Sequence, residues 1–453
     1  MSYDQSLAWL FSLTDLERQP MTRATGEQMG LARPAALVAR LGEPWRNYRT
    51  ILVAGSKGKG STAVLLAGIL QAAGYHTGLY SSPHLHSYRE RIRVDGAPIS
   101  KTAFAAEVAR LEPLVQALAL ERPELGVCTT FEVTTALALD HFAREKVEVA
   151  VVEVGLGGRL DATNIVEADL SLITPISFEH TAVLGNTLGE IAFEKAGIIK
   201  SGHPVLSAPQ HPEALAVLVR IAAERQASLG IGGQDWTWRG TNEEFQVGAD
   251  RLRANLWADS WRHDGLSISL LGAHQLENAA TAVAAAVVLS QHYALAVEHG
   301  AIVTGLAMAH WPGRIEAAPD SNPIIVLDGA HNGDSAEKLA AALRAHFKFE
   351  RLWLVFGVLG DKDIASIIAP LAPFVATAWT VKTRHPRALE AATVAARLNA
   401  LGVRAIPAAN TADALAQARA SASSQDLICV TGSLSTAAEA REALGLVSAA
   451  ERD

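Results

Sequence analysis

Two cysteines in 453 residues leave no basis for a disulfide framework. Cys128 and Cys429 stand far apart in the chain, so a reducing cytoplasm is the expected compartment. Aromatic residues are scarce at 6%, while 49% of the chain is hydrophobic with much alanine and leucine, a composition that suits many helices. Basic charge is in deficit: 39 Lys and Arg face 47 Asp and Glu, a formal net charge of −8. That balance argues against nucleic acid or an anionic membrane as the main partner. It leaves room for a phosphorylated ligand, for which one local pocket of glycines and lysines is enough. No apolar run reaches membrane-spanning length without interruption. The opening MSYDQSLAWLFSL lacks the basic stretch and long apolar core of a secretory signal. A soluble cytoplasmic enzyme or binding protein is expected.

The length exceeds one ordinary core and predicts two or three domains. Short apolar strands alternate with amphipathic or alanine-rich helices. Strands are expected at 50–53, 77–80, 147–152, 170–174 and 204–206, and helices at 61–73, 134–144, 212–226 and 276–290. The alternation predicts a mostly parallel sheet with helices on both faces. Between Trp236 and Leu271 the strings TWRG, FQVGADRLRANLW and LSISLLG read instead as hairpin strands, and the four Trp from 236 to 261 are expected to pack there. AAPDSNP, polar and proline-bearing, reads as a linker, placed at 315–322. Alternation then restarts with IIVLD, a helix over 335–346, RLWLVFG, a helix after Lys362, TAWTV, a helix after Arg387, and LICVTG. That is a second α/β domain over 323–453, about 130 residues, a normal domain size.

AGSKGKGSTA, residues 54–63, follows a predicted strand and opens a predicted helix, the setting a phosphate site requires. Gly55, Gly58 and Gly60 allow a tight turn that brings N–H groups to an anion, Lys59 adds a point charge, and the helix adds its positive end. The common loop has a hydroxyl directly after the lysine. Here Gly60 intervenes, and Ser61 and Thr62 come one place later. A ligand-free glycine turn is the alternative; two lysines set between glycines in an acidic chain weigh against it.

VVEVGLGGRLDATN, residues 151–164, puts Glu153 at the carboxyl end of a strand, where open α/β sheets place ligands. A solvated strand-end glutamate is the plain alternative. Asp161 and Asn164 are polar residues in reach of the same edge. FEHTAVLGNTLGEIAFEKAGIIK, residues 178–200, contains the capping box Thr187-Leu188-Gly189-Glu190, which starts a helix. Leu188, Ile191 and Ala192 form its apolar stripe, and Lys195 falls on that stripe. A lysine there either snorkels to water or has a charged partner. His180 has the chemistry of a base or a metal ligand, and a structural role is the commoner reading. Further on, GAHQLENAATAVAA sets His274, Gln275 and Asn278 at a helix mouth. WPGRIE and VLDGAHN set Arg314, Asp328, His331 and Asn332 around the linker, where Arg314 can grip phosphate as a planar fork.

These strings, with YDQSLAWL, LYSSPHLHSYRERIRVDG, TTFEVTTALAL, FGVLGDKD and VTGS, resemble the bifunctional folylpolyglutamate synthase/dihydrofolate synthase family of the Mur ligase superfamily. The likeness runs in order through most of the chain. It departs at Ser56-Lys57, where Thr-Asn or Thr-Lys is usual, at Glu179, where Asp is common, and at Gly333, where proline is usual. The displaced hydroxyls match the Mur-type phosphate loop. The resemblance implies an N-terminal Mur-ligase-type P-loop domain with a mostly parallel sheet, binding ATP and pterin over residues 1–314, and a smaller Rossmann-like C-terminal α/β domain.

It also implies an ATP-dependent ligase that adds L-glutamate to dihydropteroate, to tetrahydrofolate, or to both, through an acyl phosphate. Gly55, Ser56, Lys57, Gly58, Lys59, Gly60 and Ser61 match the ATP-phosphate segment, with Lys59 on the β/γ oxygens. Asn278, Arg314 and Asp328 match other ATP contacts, and His331 matches a contact to the transferred phosphate. Ser82, Glu153 and His180 match ligands of two magnesium ions. Lys195 matches a lysine that the family carbamylates, which would turn an awkward buried cation into a metal-holding anion. Thr130, Phe131, Glu132, Asp161 and Ala162 match pterin-binding segments, with Phe131 suited to stack on the ring. Glutamate is expected between the domains, with closure about residues 315–322. The expected partners are small-molecule substrates, with no nucleic acid, no membrane and a monomeric chain. The competing readings are a Mur-like cell-wall ligase, disfavoured by SPHLHSYRERIRV and TTFE, and a nucleotide-binding regulatory or transport ATPase, which leaves Lys195 unexplained.

Overall fold

The structure, a computed structural model, describes the chain except residues 18–21, 23–25, 27, 250–255, 258 and 449–450. It forms two compact units. The first comprises residues 1–84, 89–269 and 275–309; the second comprises 85–88, 270–274 and 310–453.

Unit one is built on an eight-stranded sheet from β1 (Arg49–Ala54), β2 (Thr77–Tyr80), β3 (Ile92–Val94), β4 (Ala97–Pro98), β5 (Val149–Glu153), β6 (Leu170–Ile173), β7 (Val205–Ser207) and β8 (Leu229–Ile231). Their order is β4-β3-β2-β5-β1-β6-β7-β8. From β2 to β8 every pairing is parallel, and β3 and β4 add an antiparallel edge. RTILVA and VAVVE in β1 and β5 are buried throughout after Arg49. Continuous apolar runs are what a parallel strand covered on both faces needs. The four central strands, β2-β5-β1-β6, therefore end side by side at one carboxyl edge.

The helix expected from residue 134 begins at Thr130. Its start is a complete capping box: Thr129 accepts from the Glu132 N–H, and the Glu132 carboxylate accepts from the Thr129 N–H at 2.8 Å. Threonine and β-branched residues lower helix propensity, and the cap outweighs them. The hairpin region is a three-stranded antiparallel sheet of β9 (Thr237–Gly240), β10 (Phe245–Ala249) and β11 (Trp261–Leu266). LSISLLG is therefore corrected: the strand is WRHDGL, whose outward Arg262 and Asp264 hide its period, while Ile268 and Leu270 are buried beyond its end. The residues of FQVGADRLRANLW after Ala249 lie mostly outside the described residues. Trp236 and Trp257 are buried edge to face with centroids 6.2 Å apart, as expected of a packed hairpin region.

Unit two has a six-stranded sheet of β12 (Glu316–Ala317), β13 (Ile324–Leu327), β14 (Leu352–Phe356), β15 (Val375–Thr380), β16 (Ala405–Pro407) and β17 (Leu427–Thr431), in the order β12-β13-β17-β14-β15-β16. All pairings but β12–β13 are parallel. Val326, Leu354 and Cys429 face one apolar core, whereas Leu327, Val355 and Val430 face the other. Residues 315–322, with the composition of a linker, lie in this unit: Ile315 is buried and Glu316–Ala317 pairs as an edge strand. Polar residues and a proline mark a sheet edge as readily as a linker. Among the described residues no helix is long and apolar enough to cross a membrane.

Candidate active site

The phosphate-type loop leaves β1 and enters the helix Lys59–Ala72. Two glycines are obligatory there. Gly55 has φ +147°, and a Cβ on it would overlap the Thr174 hydroxyl; Gly58 has φ +84°, and its Cβ would overlap the Asn278 amide. Both positions combine positive φ with close approach, which excludes a side chain. The loop is pinned by Ser56 N–H and Lys57 N–H donating to the Pro175 carbonyl at 2.9 and 3.2 Å, and by the Ser56 hydroxyl donating to the Ser177 carbonyl. Thr62 meets Asn278 at 3.4 Å, so Asn278 stands beside the loop and the first turn of its helix.

Lys195 is 1% exposed, in the last turn of the helix Leu188–Ala196, which opens with the Thr187–Glu190 capping box. A lysine there faces the negative end of the helix dipole. Of the two readings of this residue, the charged partner holds: Nζ lies 2.7 Å from the Glu179 carboxylate and donates to the Gly55 carbonyl at 2.9 Å. Lys59 Nζ donates to the same carbonyl at 3.0 Å. Two ammonium groups thus share one acceptor. Burial opposes ionisation of Glu179, but Lys195, Lys59 and Lys57 outweigh it and hold the carboxyl at about 2. Burial pushes Lys195 the other way, down to about 8, with Glu179 opposing and Lys59 and Lys57 adding repulsion. Sequence reasoning gives Glu179 no role. A buried lysine demands an acid, and the acid beside His180, beyond the end of β6, is the signal that could have found it.

Glu153 ends β5, is buried, and accepts from the Ser82 N–H at 3.2 Å. Ser82 precedes a cis peptide bond to Pro83. His180 is exposed in a left-handed conformation, φ 45° and ψ 38°, immediately after Glu179. Among the described residues no three His, Cys, Asp or Glu side chains gather as a metal site.

Beside this edge the turn after β5 folds on Asp161. Its carboxylate accepts from the Leu156 N–H at 2.9 Å, the Thr163 N–H at 3.0 Å and the Thr163 hydroxyl, while full burial pushes its pKa up. Ala162 is buried next to it. Phe131 lies over Gly155, where a Cβ would come within 2.5 Å of Cζ, and its ring is 6.1 Å from that of Tyr80. Phe131, Asp161 and Gly155 are thereby brought together. Thr130 and Glu132 are committed elsewhere: the Thr130 hydroxyl donates to the Leu10 carbonyl at 3.1 Å, and Glu132 takes a two-pronged contact from Arg33 at 2.6 and 2.7 Å. Arg33, from a helix remote in sequence, is not legible as that partner.

In unit two the turn after β13 gathers Arg314, Asp328 and His331. Asp328 is buried and accepts from the Ile315 and Ala330 N–H groups at 2.9 and 2.8 Å. Burial pushes its pKa up against the pull of Arg314. Arg314 lies so close to Gly329 that a Cβ there would come within 2.7 Å of Nη1. His331 Nδ1 is 2.9 Å from the Gly329 carbonyl, and Asn332 caps the helix Gly333–His346.

The Mur ligase middle domain matches residues 53–286, and the Mur ligase glutamate ligase domain matches residues 313–434. The chain is 39% identical to the dihydrofolate synthase/folylpolyglutamate synthase of Bacillus subtilis over 80% of its own length and 83% of that protein. It is 36% identical to the enzyme of the same name from Escherichia coli, covering 96% of this chain and 95% of that one. Escherichia coli FolC solved with DHPP and ADP matches with a TM-score of 0.84 at 33% identity over 98% of each chain. Folylpolyglutamate synthase of Mycobacterium tuberculosis with ADP gives 0.85 at 32% identity, again over 98% of each. A phosphate loop facing paired lysines, a buried strand-end glutamate, and these likenesses along nearly the whole length lead to one conclusion: the chain belongs to the dihydrofolate synthase/folylpolyglutamate synthase family of Mur ligases, which are ATP-dependent ligases.

Proposed function

We propose that the protein joins L-glutamate to a pterin-linked carboxylate, that of dihydropteroate, of a reduced folate, or of both, through an acyl phosphate. The observation that carries this reading is the meeting of Lys59 and Lys195 on the Gly55 carbonyl, opposite Glu179. An amide does not form between a carboxylate and an ammonium at neutral pH without activation. The substrate carboxylate attacks the γ-phosphorus of ATP, the bond to the β-phosphate oxygen breaks, and ADP leaves. The neutral amine of glutamate then attacks the acyl carbon, phosphate departs, and the amine proton passes to solvent. Lys59 and the N–H groups that open its helix neutralise the developing charge. Asn278, Arg314 and Asp328 hold the nucleotide, His331 meets the transferred phosphate, and Phe131 with Asp161 and Ala162 receives the ring. Thr130 and Glu132, whose side chains bond Leu10 and Arg33, act through the helix that carries Phe131. Residues 1–314 carry ATP and pterin binding in this reading, and 323–453 the remaining nucleotide contacts.

The donor chemistry at the end of β5 fits magnesium: Glu153 offers a carboxylate, and Ser82, whose backbone N–H donates to it at 3.2 Å, carries a hydroxyl. When bound there, with His180 next to Glu179 in the chain, the ions would screen the phosphates. Carbamylation of Lys195 fits as well. Nζ adds to the carbon of CO₂, a proton leaves, and the product is an anion. With Glu179 2.7 Å from Nζ, a second buried anion there would draw on Lys59 and Lys57 and leave room for a divalent cation to offset the rest.

The amine must be neutral to react with CO₂. A pKa of about 8 makes the neutral form roughly two orders of magnitude more abundant at pH 7 than an ordinary lysine would. Below that value the neutral fraction falls about tenfold per pH unit. Protein held near pH 6 in CO₂-free buffer should therefore show a lag when returned to assay near pH 8, and bicarbonate should abolish it. Full initial activity without bicarbonate would dismiss the carbamate.

The function is tested by supplying ATP and glutamate with dihydropteroate and, separately, with tetrahydrofolate, while following ADP and product mass. ADP release that requires both glutamate and a pterin acid is expected. Turnover indifferent to both would leave only a nucleotide-binding ATPase.

A further inference from the structure

The buried Asn164 and the partly buried Lys200 form a pair outside every role assigned so far. The Asn164 side chain is fully used. Its amide N–H groups donate to the Arg159 carbonyl at 3.1 Å and the Gly197 carbonyl at 3.2 Å, and its oxygen accepts from Lys200 Nζ at 3.0 Å. Lys200 also donates to the Asn164 backbone carbonyl at 2.9 Å. Arg159 belongs to the glycine turn that leads into Asp161 and Ala162. Gly197 caps the helix that carries Lys195. One side chain therefore bridges the ring-binding turn and the end of the Lys195 helix.

The two backbones are in direct contact around that bridge. A Cβ on Gly197 would overlap Arg159, and one on Gly158 would sit 3.0 Å from the Glu194 and Lys195 carbonyls. The Arg159 N–H donates to the Glu194 carbonyl at 2.7 Å, and the Arg159 guanidinium grips the Glu194 carboxylate at 2.8 Å. Arg225 and Ser171 bind the same turn from below, through the carbonyls of Gly197 and Ile198. Lys200 is held against a cost, since burial pushes its pKa down to about 8 with Arg225 adding to the effect and only Glu167 opposing it. An apolar residue would fill the space without that penalty. What the ammonium adds is direction: it fixes the Asn164 oxygen, and so aims both amide N–H groups.

We propose that Asn164 and Lys200 are positioning residues that hold the pterin-binding turn 155–164 in register with Lys195, so that ring binding and phosphate chemistry share one rigid frame. This rests on the ligase reading above. A displacement of about 1 Å at the reacting atoms is enough to slow such a reaction roughly a hundredfold.

Lys200→Met keeps the length of the side chain and removes its donors. It is expected to raise KM for the pterin substrate and lower kcat, together about 10- to 100-fold in kcat/KM, with KM for ATP within about twofold of wild type. Amide hydrogen exchange should quicken over residues 155–164 and stay unchanged over 55–65, a contrast that general destabilisation does not produce. Unaltered exchange over 155–164, or quicker exchange with KM for the pterin unmoved, overturns the proposal. Should Lys200→Met fail to fold, Asn164→Ser, which withdraws the reach to Gly197, takes the same measurements, and the same results support or overturn the proposal. A wild-type protein that ignores pterin acids sinks the ligase reading alone, because the exchange contrast does not depend on substrate identity.

Discussion

Lys195→Ala is expected to abolish glutamate ligation, with kcat falling by roughly a thousandfold or more. The residue sits at the junction of three groups, the Gly55 carbonyl, the Glu179 carboxylate and the neighbouring charge of Lys59. Its loss removes the proposed carbamate site and leaves Glu179 with a weaker set of cations. The fold should survive. Glu179 can take up a proton once Lys195 no longer holds it at about 2, and Lys59 and Lys57 still face it. A stability loss of about 3–5 kcal/mol is the expected scale for breaking a buried pair, read as a lower melting temperature with unchanged far-UV circular dichroism. ADP binding should persist, because the loop glycines and Lys59 remain. Turnover close to wild type in this variant would mean that the metal and phosphate machinery has been placed on the wrong lysine.

Glu153→Ala is expected to be nearly as damaging, about a hundred- to ten-thousandfold in kcat, through a different route. The carboxylate is buried at the end of a central strand, with the Ser82 N–H at 3.2 Å. A buried anion stabilises a fold poorly by itself, so its removal should cost little melting temperature. The magnesium response is the diagnostic readout. Half-maximal activity should move to a higher magnesium concentration, and Glu153→Gln, which preserves shape but not charge, should follow alanine rather than wild type. An unshifted magnesium profile would place the ion elsewhere.

Much of this site can be read from the chain alone, for identifiable reasons. β1, β2 and β5 are short apolar runs ending in glycine or polar residues, so their strand character and their functional edge are both local signals. The capping box at Thr187 announces the Lys195 helix in the same way. Where several weak signals compete, legibility falls. TTFE carries a capping box as clear as the one at Thr187, yet the threonines around it pull toward strand and move the apparent helix start from Thr130 to Thr134. WRHDGL gives no alternation to the eye because its outward residues include charges and its inward ones include histidine. Residues 315–322 have linker composition, yet Glu316–Ala317 within them pairs as an edge strand. Partners distant in sequence with no such demand behind them are illegible: Arg33 for Glu132 and Lys200 for Asn164 are decided by how elements stack, and composition carries no trace of that choice.

The shared carbonyl of Gly55 has a consequence for how the protein greets a nucleotide. Lys59 rests on a neutral peptide oxygen rather than in bulk solvent, so a phosphate arriving at it competes with an uncharged acceptor already in place. The number of hydrogen bonds on the Lys59 ammonium changes little in that exchange; what changes is the charge of the atom that receives them. Discrimination among mono-, di- and triphosphates then follows the anionic charge each brings to that spot, and dissolved salt should blunt it.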